Sequence, residues 1–91
     1  MDRKTVITES LNYIENNIKN KITIDEIAGN AGYTKFYFSR LFKQEMKVSV
    51  MEYVRERKMI YATREILNGN KKTKALLIEV RQYKFYLKYA F

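Results

Sequence analysis

The stretch TIDEIAGNAGYTKFYFSRLFKQE, residues 23–45, is the part of the chain from which its fold can be worked out. Thr23 lies three residues before Glu26, the spacing of a capping box, in which hydroxyl and carboxylate satisfy free backbone amides at a helix start. The apolar residues that follow share one helical face: Ile24, Ile27 and Ala28. Gly32 can adopt a positive φ without steric cost, so we expect the helix to end there.

A second helix is predicted from Lys35 to Glu45, with Thr34 as its N-cap. Its inner face is apolar and consists of Phe38, Leu41 and Phe42. Its outer face is basic, aromatic and polar, and consists of Lys35, Phe36, Tyr37, Ser39, Arg40 and Lys43. Two short helices joined by a tight, glycine-containing turn form a helix-turn-helix, whose second helix enters the major groove of DNA. The stretch therefore indicates a DNA-reading unit, with its motif at about residues 22–45.

The composition fits one small globular domain and excludes several classes of function. The chain has 91 residues, of which 46% are hydrophobic, and it contains neither histidine nor cysteine. Disulfides and the common zinc ligand sets are thereby excluded, as are most pairs of nucleophile and base. We expect no enzymatic activity and no catalytic residue, metal or cofactor.

The charge and the N-terminus point to a partner and a compartment. The formal net charge of +8 and the isoelectric point near 9.7 favour a polyanionic partner such as DNA. The N-terminus enters an amphipathic pattern directly, with no signal-peptide pattern. No apolar run reaches the roughly 18 residues that a membrane span requires. We therefore expect a cytoplasmic protein that does not associate with a membrane.

Two longer helices are predicted on either side of the central stretch. The first, residues 3–19, has an apolar stripe of Ile7, Leu11, Ile14 and Ile18 and reads as a packing support. The second, residues 50–68, has Ser49 as its cap and Gly69 in its C-terminal signal. Its apolar residues spread over more than one stripe, which predicts different neighbours at its two ends.

A run of charge, Arg55-Glu56-Arg57-Lys58, occupies the middle of this second long helix. One interpretation is a solvated helix face. The other is that Arg55 or Lys58 contacts the DNA backbone while Arg57 pairs with an acidic side chain.

Candidate roles follow from the chemistry of the outer face of the second short helix. Arg40 can bind guanine through two hydrogen bonds, Ser39 can contact almost any base, and Phe36 can pack on thymine methyl groups. Phe36 can alternatively be a surface aromatic that packs on a neighbouring helix. The remaining candidates suit the phosphate backbone: Thr34, Lys35, Tyr37 and Lys43, with Arg55 from the long helix. An ordinary helical hairpin with a solubilising basic surface is the alternative for the whole motif.

Four segments together carry a resemblance to a known family: IDEIA at 24–28, AGY at 31–33, YFSRLFK at 37–43, and the pattern from Tyr53-Val54 through Arg57 and Ala62 to Leu67. This chain resembles the AraC/XylS family of bacterial transcription regulators, and its small single-domain MarA/SoxS-like members in particular. The resemblance covers roughly residues 5–70 without gaps.

The resemblance implies two helix-turn-helix units joined by a long linker helix, each placing its second helix in the major groove. It also implies a monomer that activates transcription by recruiting RNA polymerase. The base-contacting positions of the family fall on Phe36, Ser39 and Arg40, and Lys35 and Lys43 match backbone-contacting positions. The predicted organisation is therefore a first unit at 1–49, a linker helix at 50–69 and a second unit at 70–91.

The second unit departs from the family pattern. Leu77 stands where a small alanine is expected and Arg81 where the turn glycine is expected, so we expect a degenerate or truncated unit. Five aromatic residues fall within residues 83–91, more than a small protein easily leaves exposed. They can form a docked terminal helix, a basic aromatic arm on the DNA backbone, or an interface for a partner.

The sequence thus predicts an all-α protein: a three-helix helix-turn-helix domain, a long linker helix and a partial second helix-turn-helix. The predicted function is sequence-specific binding of double-stranded DNA in bacterial transcription control, through the recognition helix 35–45. One alternative is a truncated interaction protein that binds RNA polymerase or a full-length regulator without site-specific DNA binding. Another is the DNA-binding end of a longer regulator.

Overall fold

The computed structural model describes residues 2–69, and within them the chain forms four α-helices and no strand. The helices are α1 (Arg3–Asn16), α2 (Ile24–Ala31), α3 (Lys35–Met46) and α4 (Val50–Leu67). The predicted all-α class is confirmed. The predicted degenerate or truncated second unit at 70–91 lies outside the described residues.

The first three helices form a three-cornered bundle in which each helix packs against the other two. They belong to a compact unit that ends at Val54. Its largest fully buried side chains come from all four helices: Val6, Ile14, Ile27, Phe38, Phe42, Val50 and Val54. Burial of each such side chain stabilises the fold by about 1.5–3 kcal/mol, so this core is what holds the short helices together.

The buried face of α1 is broader than its predicted stripe. Ile7, Ile14 and Ile18 are buried as expected, but Leu11 is only half-buried, and the face extends to Val6 and Ser10 instead. Ser10 is tolerated in the core because its hydroxyl donates a 2.7 Å hydrogen bond to the carbonyl oxygen of Ile7.

The predicted end of α1 at residue 19 is wrong, because the helix ends at Asn16. The side-chain amide of Asn17 donates to the carbonyl oxygen of Tyr13 at 2.9 Å, which competes with the backbone for a last-turn acceptor. After Asn16 the chain forms a tighter turn, in which the amide of Asn20 donates to the carbonyl oxygen of Asn17, three residues back. Ile18 stays buried because this tighter turn keeps its side chain on the core side.

The turn between α2 and α3 follows the predicted glycine geometry. Thr23 accepts a hydrogen bond from the amide of Glu26 at the start of α2, at 3.2 Å. Gly32 ends α2 in the left-handed conformation, with φ of 82°. Its amide donates to Gly29, and the next amide, of Tyr33, donates to the carbonyl of Ala28 at 2.9 Å. This pair of bonds is a Schellman motif, which reverses the chain within a few residues.

The connection between α3 and α4 uses a left-handed residue that the sequence did not reveal. Lys47 has φ of 66°, and its amide donates to the carbonyl of Lys43 at 2.9 Å. Ser49 then caps α4 as predicted, since its hydroxyl accepts from the amide of Glu52 and donates to the carboxylate of the same residue. The ring of Phe42 meets Tyr53 edge-on at 5.8 Å, which fixes the start of α4 on the end of α3.

The interpretation of the charged run in α4 as one solvated face is wrong, because Lys58 is buried. The second compact unit begins at Arg55, and within it Lys58 is only 2% exposed, one turn before the fully buried Ala62. A lysine can bury its four-carbon stem in this way when the surroundings are apolar. At the end of the helix, Leu67 is 82% exposed and Gly69 has the left-handed φ predicted for a terminating glycine.

Candidate nucleic-acid interface

The start of α3 is set by Thr34, whose backbone is extended while its hydroxyl accepts a 3.3 Å hydrogen bond from the amide of Tyr37. This bond satisfies one of the free amides of the first turn and defines where the helix begins. The position of the N-cap therefore sets the angle at which every later side chain leaves the helix axis. Counting from Lys35 at about 100° per residue, the buried Phe38, Leu41 and Phe42 lie on one side of α3.

The opposite side of α3 is exposed along its whole length. The exposed residues of α3 are Lys35, Phe36, Tyr37, Arg40, Lys43 and Gln44, together with Glu45, which is exposed at the end of the helix on the side of α1. Ser39 is half-buried, so its hydroxyl lies closer to the core than the side chains of Phe36 and Arg40. The predicted base-contacting residues therefore share the outer half of the helix, but their side chains extend to different distances from it.

Phe36 is the most exposed aromatic side chain of this face. It is 74% exposed, and the ammonium nitrogen of Lys35 lies 5.3 Å from the centre of its ring. The alternative in which Phe36 packs on a neighbouring helix is therefore wrong. The cation over the ring is a weak interaction at an exposed site, and both side chains stay accessible.

The electrostatics of the face favour an anion. Within residues 2–69, no carboxylate forms an ion pair with Lys35, Arg40 or Lys43. The one acidic residue of α3, Glu45, has its carboxylate 3.8 Å from the guanidinium of Arg3 on α1. The positive groups of α3 are thus available to an outside partner, while its negative group lies beside a cation of α1.

Two residues of this face were missed by sequence reasoning. Tyr33, in the turn before α3, packs its ring on that of Tyr37, with centroids 5.1 Å apart and planes inclined at 35°. Their separation by four residues was a signal for this contact. Gln44 is exposed and follows Arg40 by four residues, as Arg40 follows Phe36, and this spacing was also visible in the sequence.

Seven of the eight predicted site residues belong to α3 or its cap, within the first compact unit. Arg55 belongs to the second unit, where it is half-buried and engaged in an interaction with another group. Within residues 2–69 no cluster of three potential metal ligands occurs, and none of the four helices is apolar over a length that could cross a bilayer.

Comparison with known proteins places this geometry in a family. Residues 14–55 match the model of the bacterial regulatory helix-turn-helix proteins of the AraC family. The matched segment runs from the end of α1 through α2 and α3 into α4, and so contains the complete helix-turn-helix.

Several known proteins are similar over most of this chain. The transposon Tn10 TetD protein of Escherichia coli is 38% identical over 87 residues, covering 96% of this chain and 56% of TetD. The HTH-type transcriptional activator AarP of Providencia stuartii is 34% identical over 75% of this chain and 50% of its own length. The multiple antibiotic resistance protein MarA of Escherichia coli strain K12 is 30% identical over 66% of this chain and 47% of MarA.

The chain spans about half the length of these curated relatives. No solved structure gives a significant match. The family match and these relatives point to the same class of protein, the helix-turn-helix regulators of bacteria. Residues 14–55 of this chain form a helix-turn-helix segment of the AraC family of bacterial regulatory proteins.

Proposed function

We propose that this chain is a sequence-specific DNA-binding regulator of bacterial transcription, which inserts α3 into the major groove. The observation that carries the proposal is the division of α3 into a buried apolar face and an exposed face with three cations that no carboxylate within residues 2–69 pairs. An α-helix fits the width of the major groove, and base edges there distinguish all four base pairs. The AraC-family match to residues 14–55 supports the same role.

Base reading is assigned to the outer half of α3, at Phe36, Ser39 and Arg40. The guanidinium of Arg40 has the two-donor geometry that matches the O6 and N7 acceptors of guanine. The exposed ring of Phe36 suits the methyl group of thymine. Ser39, half-buried and short, reaches only a base edge that comes close to the helix axis.

Backbone contacts are assigned to the residues around this row. Lys35 and Lys43 lie on one side of it, and Tyr37 lies on the other, supported by the ring of Tyr33. Thr34, at the N-terminus of α3, stands where backbone amides favour a phosphate. Arg55 is the remaining candidate. These contacts position the helix and make affinity fall steeply with salt.

The wider role follows from the relatives and stays part of the proposal. AarP is a transcriptional activator by name, and activation through contact with RNA polymerase is the corresponding proposal for this chain. We propose a monomer that acts in the cytoplasm, where the bacterial chromosome lies, and that has no enzymatic activity. Because residues 70–91 depart from the family pattern at Leu77 and Arg81, we expect weak affinity in which backbone charge supplies a large share.

The test is a binding selection from a random DNA duplex pool at moderate salt, using the full chain, Arg40→Ala, Arg40→Lys and Lys43→Ala. Wild type is expected to enrich a short motif. Arg40→Lys keeps the charge and loses the two-point geometry, so it should relax one guanine position while leaving the salt dependence nearly unchanged. Lys43→Ala should weaken binding to all DNA sequences by the same factor. It should also lower the slope of log affinity against log salt by about one.

The proposal would be overturned if wild type and Arg40→Ala both recovered duplexes without a shared motif and their affinities had the same dependence on salt concentration. The chain would then act as an interaction protein, and its binding to RNA polymerase or to a full-length regulator would be the next measurement.

A further inference from the structure

The exposed side of α3 contains a row of three residues, Phe36, Arg40 and Gln44, which we call the outer row. Residues four apart on a helix are surface neighbours, so these side chains follow one another along the helix. All three are exposed, whereas Ser39 beside them is half-buried. From Phe36 to Gln44 the row extends over eight helical steps, or about 12 Å at 1.5 Å per residue. The first two members are already assigned to base reading, and the third continues their line toward the end of α3.

The surroundings of Gln44 leave its amide available. Within residues 2–69 its side chain makes no hydrogen bond. The next residue, Glu45, would repel a phosphate, but its carboxylate lies 3.8 Å from the guanidinium of Arg3 and sits toward α1. Lys43 and Lys47, both exposed, add positive charge near the same end of α3. A nucleic acid that meets Phe36 and Arg40 therefore finds no electrostatic barrier at Gln44.

We infer that Gln44 is a further specificity-determining residue, which reads an adenine at one end of the site bound by α3. A glutamine amide presents an N–H donor beside a carbonyl acceptor, and together they match the N6 and N7 edge of adenine in the major groove. A core or capping role does not account for the residue, because its side chain is exposed and it lies inside the helix.

The outer row also predicts where this adenine stands. Gln44 follows Arg40 by four residues, a step of about 6 Å along α3. Base pairs are stacked at about 3.4 Å, so the adenine stands about two base pairs from the guanine read by Arg40. It lies on the side away from the base contacted by Phe36. This inference rests on the proposed function, since it requires α3 in the major groove.

The experiment is the duplex selection on the full chain, with wild type, Arg40→Ala, Gln44→Ala and Gln44→Glu, and with Asn12→Ala as the matched control. Asn12 is an exposed amide residue in α1, so its loss tests the effect of removing an amide elsewhere. Gln44→Ala should lower the preference for adenine at one position by about ten-fold, with the guanine position kept. Gln44→Glu should shift that position toward cytosine, because a carboxylate accepts a hydrogen bond from the N4 amino group of cytosine.

The outcomes separate the inference from the function on which it rests. If Arg40→Ala changes the motif and Gln44→Ala leaves it identical to that of wild type and Asn12→Ala, the inference is overturned and the proposed function stands. A Gln44-dependent preference for a base other than adenine overturns the adenine assignment. A wild-type chain that selects no motif overturns both. Circular dichroism should show equal melting temperatures for Gln44→Ala and wild type, because alanine is a good helix former at an exposed position.

Discussion

α3 carries phenylalanine on both of its faces, and the two sets have opposite environments. Phe38 and Phe42 are fully buried and their rings lie 5.9 Å apart, whereas Phe36 is 74% exposed. The inner residues contribute to stability because they remove apolar surface from water. Phe36 contributes almost nothing of that kind. The difference teaches that residue type does not distinguish the two uses of an aromatic side chain in this helix, while position relative to the bundle does.

The sharpest test of this comparison, with the largest expected effect, is the same substitution on the two faces. Phe42→Ala should lower the free energy of unfolding by about 3–5 kcal/mol, because it removes packing and leaves a cavity beside Phe38 and Tyr53. Phe36→Ala should change it by less than about 0.5 kcal/mol, because the ring is in solvent. Urea unfolding followed by circular dichroism measures both. Similar losses in the two variants would mean that the outer face also supports the fold.

The next effect concerns the turn that sets the position of α3, and two glycines provide a matched pair. An added Cβ would meet no atom within 4 Å at either Gly29 or Gly32. Gly32 has a left-handed backbone, so Gly32→Ala should cost about 1–2 kcal/mol in strain. Gly29 lies inside α2, so Gly29→Ala should stabilise by about 0.5–1 kcal/mol.

Thermal unfolding of both glycine variants would show opposite shifts in Tm. If both substitutions lowered Tm, the added methyl group would be crowded at Gly29 as well as strained at Gly32. The position of α3 would then depend on more than the backbone conformation of Gly32.

A smaller effect is expected at Thr34, which belongs to neither face. Thr34→Ala should lower the free energy of unfolding by about 1 kcal/mol because it removes the cap on the amide of Tyr37. Thr34→Ser keeps a hydroxyl and should recover most of that loss. Measuring DNA affinity for the same pair sharpens the comparison. If Thr34→Ser restores stability and affinity together, the residue acts through the helix; affinity lost in both variants would indicate contact through the threonine methyl group.

The smallest effect lies outside α3, at the cap of α1, and depends on pH. The amide of Thr5 donates to the carboxylate of Asp2 at 2.7 Å, and this hydrogen bond holds the pKa of Asp2 below its ordinary value of 3.8. A carboxyl whose pKa is lower in the folded state stabilises the fold above its unfolded pKa and loses that effect as pH falls through the folded pKa.

Wild type should therefore have a higher urea midpoint than Asp2→Asn at pH 7, and the gap should close below about pH 4. A gap that persists at pH 2 would show that the charge of Asp2 is not its source. Because Asp2 is exposed, the gap should be much smaller than the effects at Phe42 and Gly32.

The sequence by itself determined the features that depend on neighbours within about four residues. Thr23, Thr34 and Ser49 cap α2, α3 and α4 as predicted, and Gly32 forms the predicted left-handed end. The inner face of α3 was also predicted correctly, since helical periodicity places Phe38, Leu41 and Phe42 together. The family followed from the same local motifs. These features are readable because caps and periodicity are short-range.

Only the tertiary structure decided how each helix is rotated against its neighbours. Periodicity gives the angles between side chains on one helix, but the direction of the core is set by the other helices. For this reason the core face of α1 includes Val6 and Ser10. The same cause leaves Leu11 only half-buried, although periodicity placed it on the predicted apolar stripe of α1. Which residues of α1 enter the core was thus settled by the packing of α1, α2 and α3 on one another.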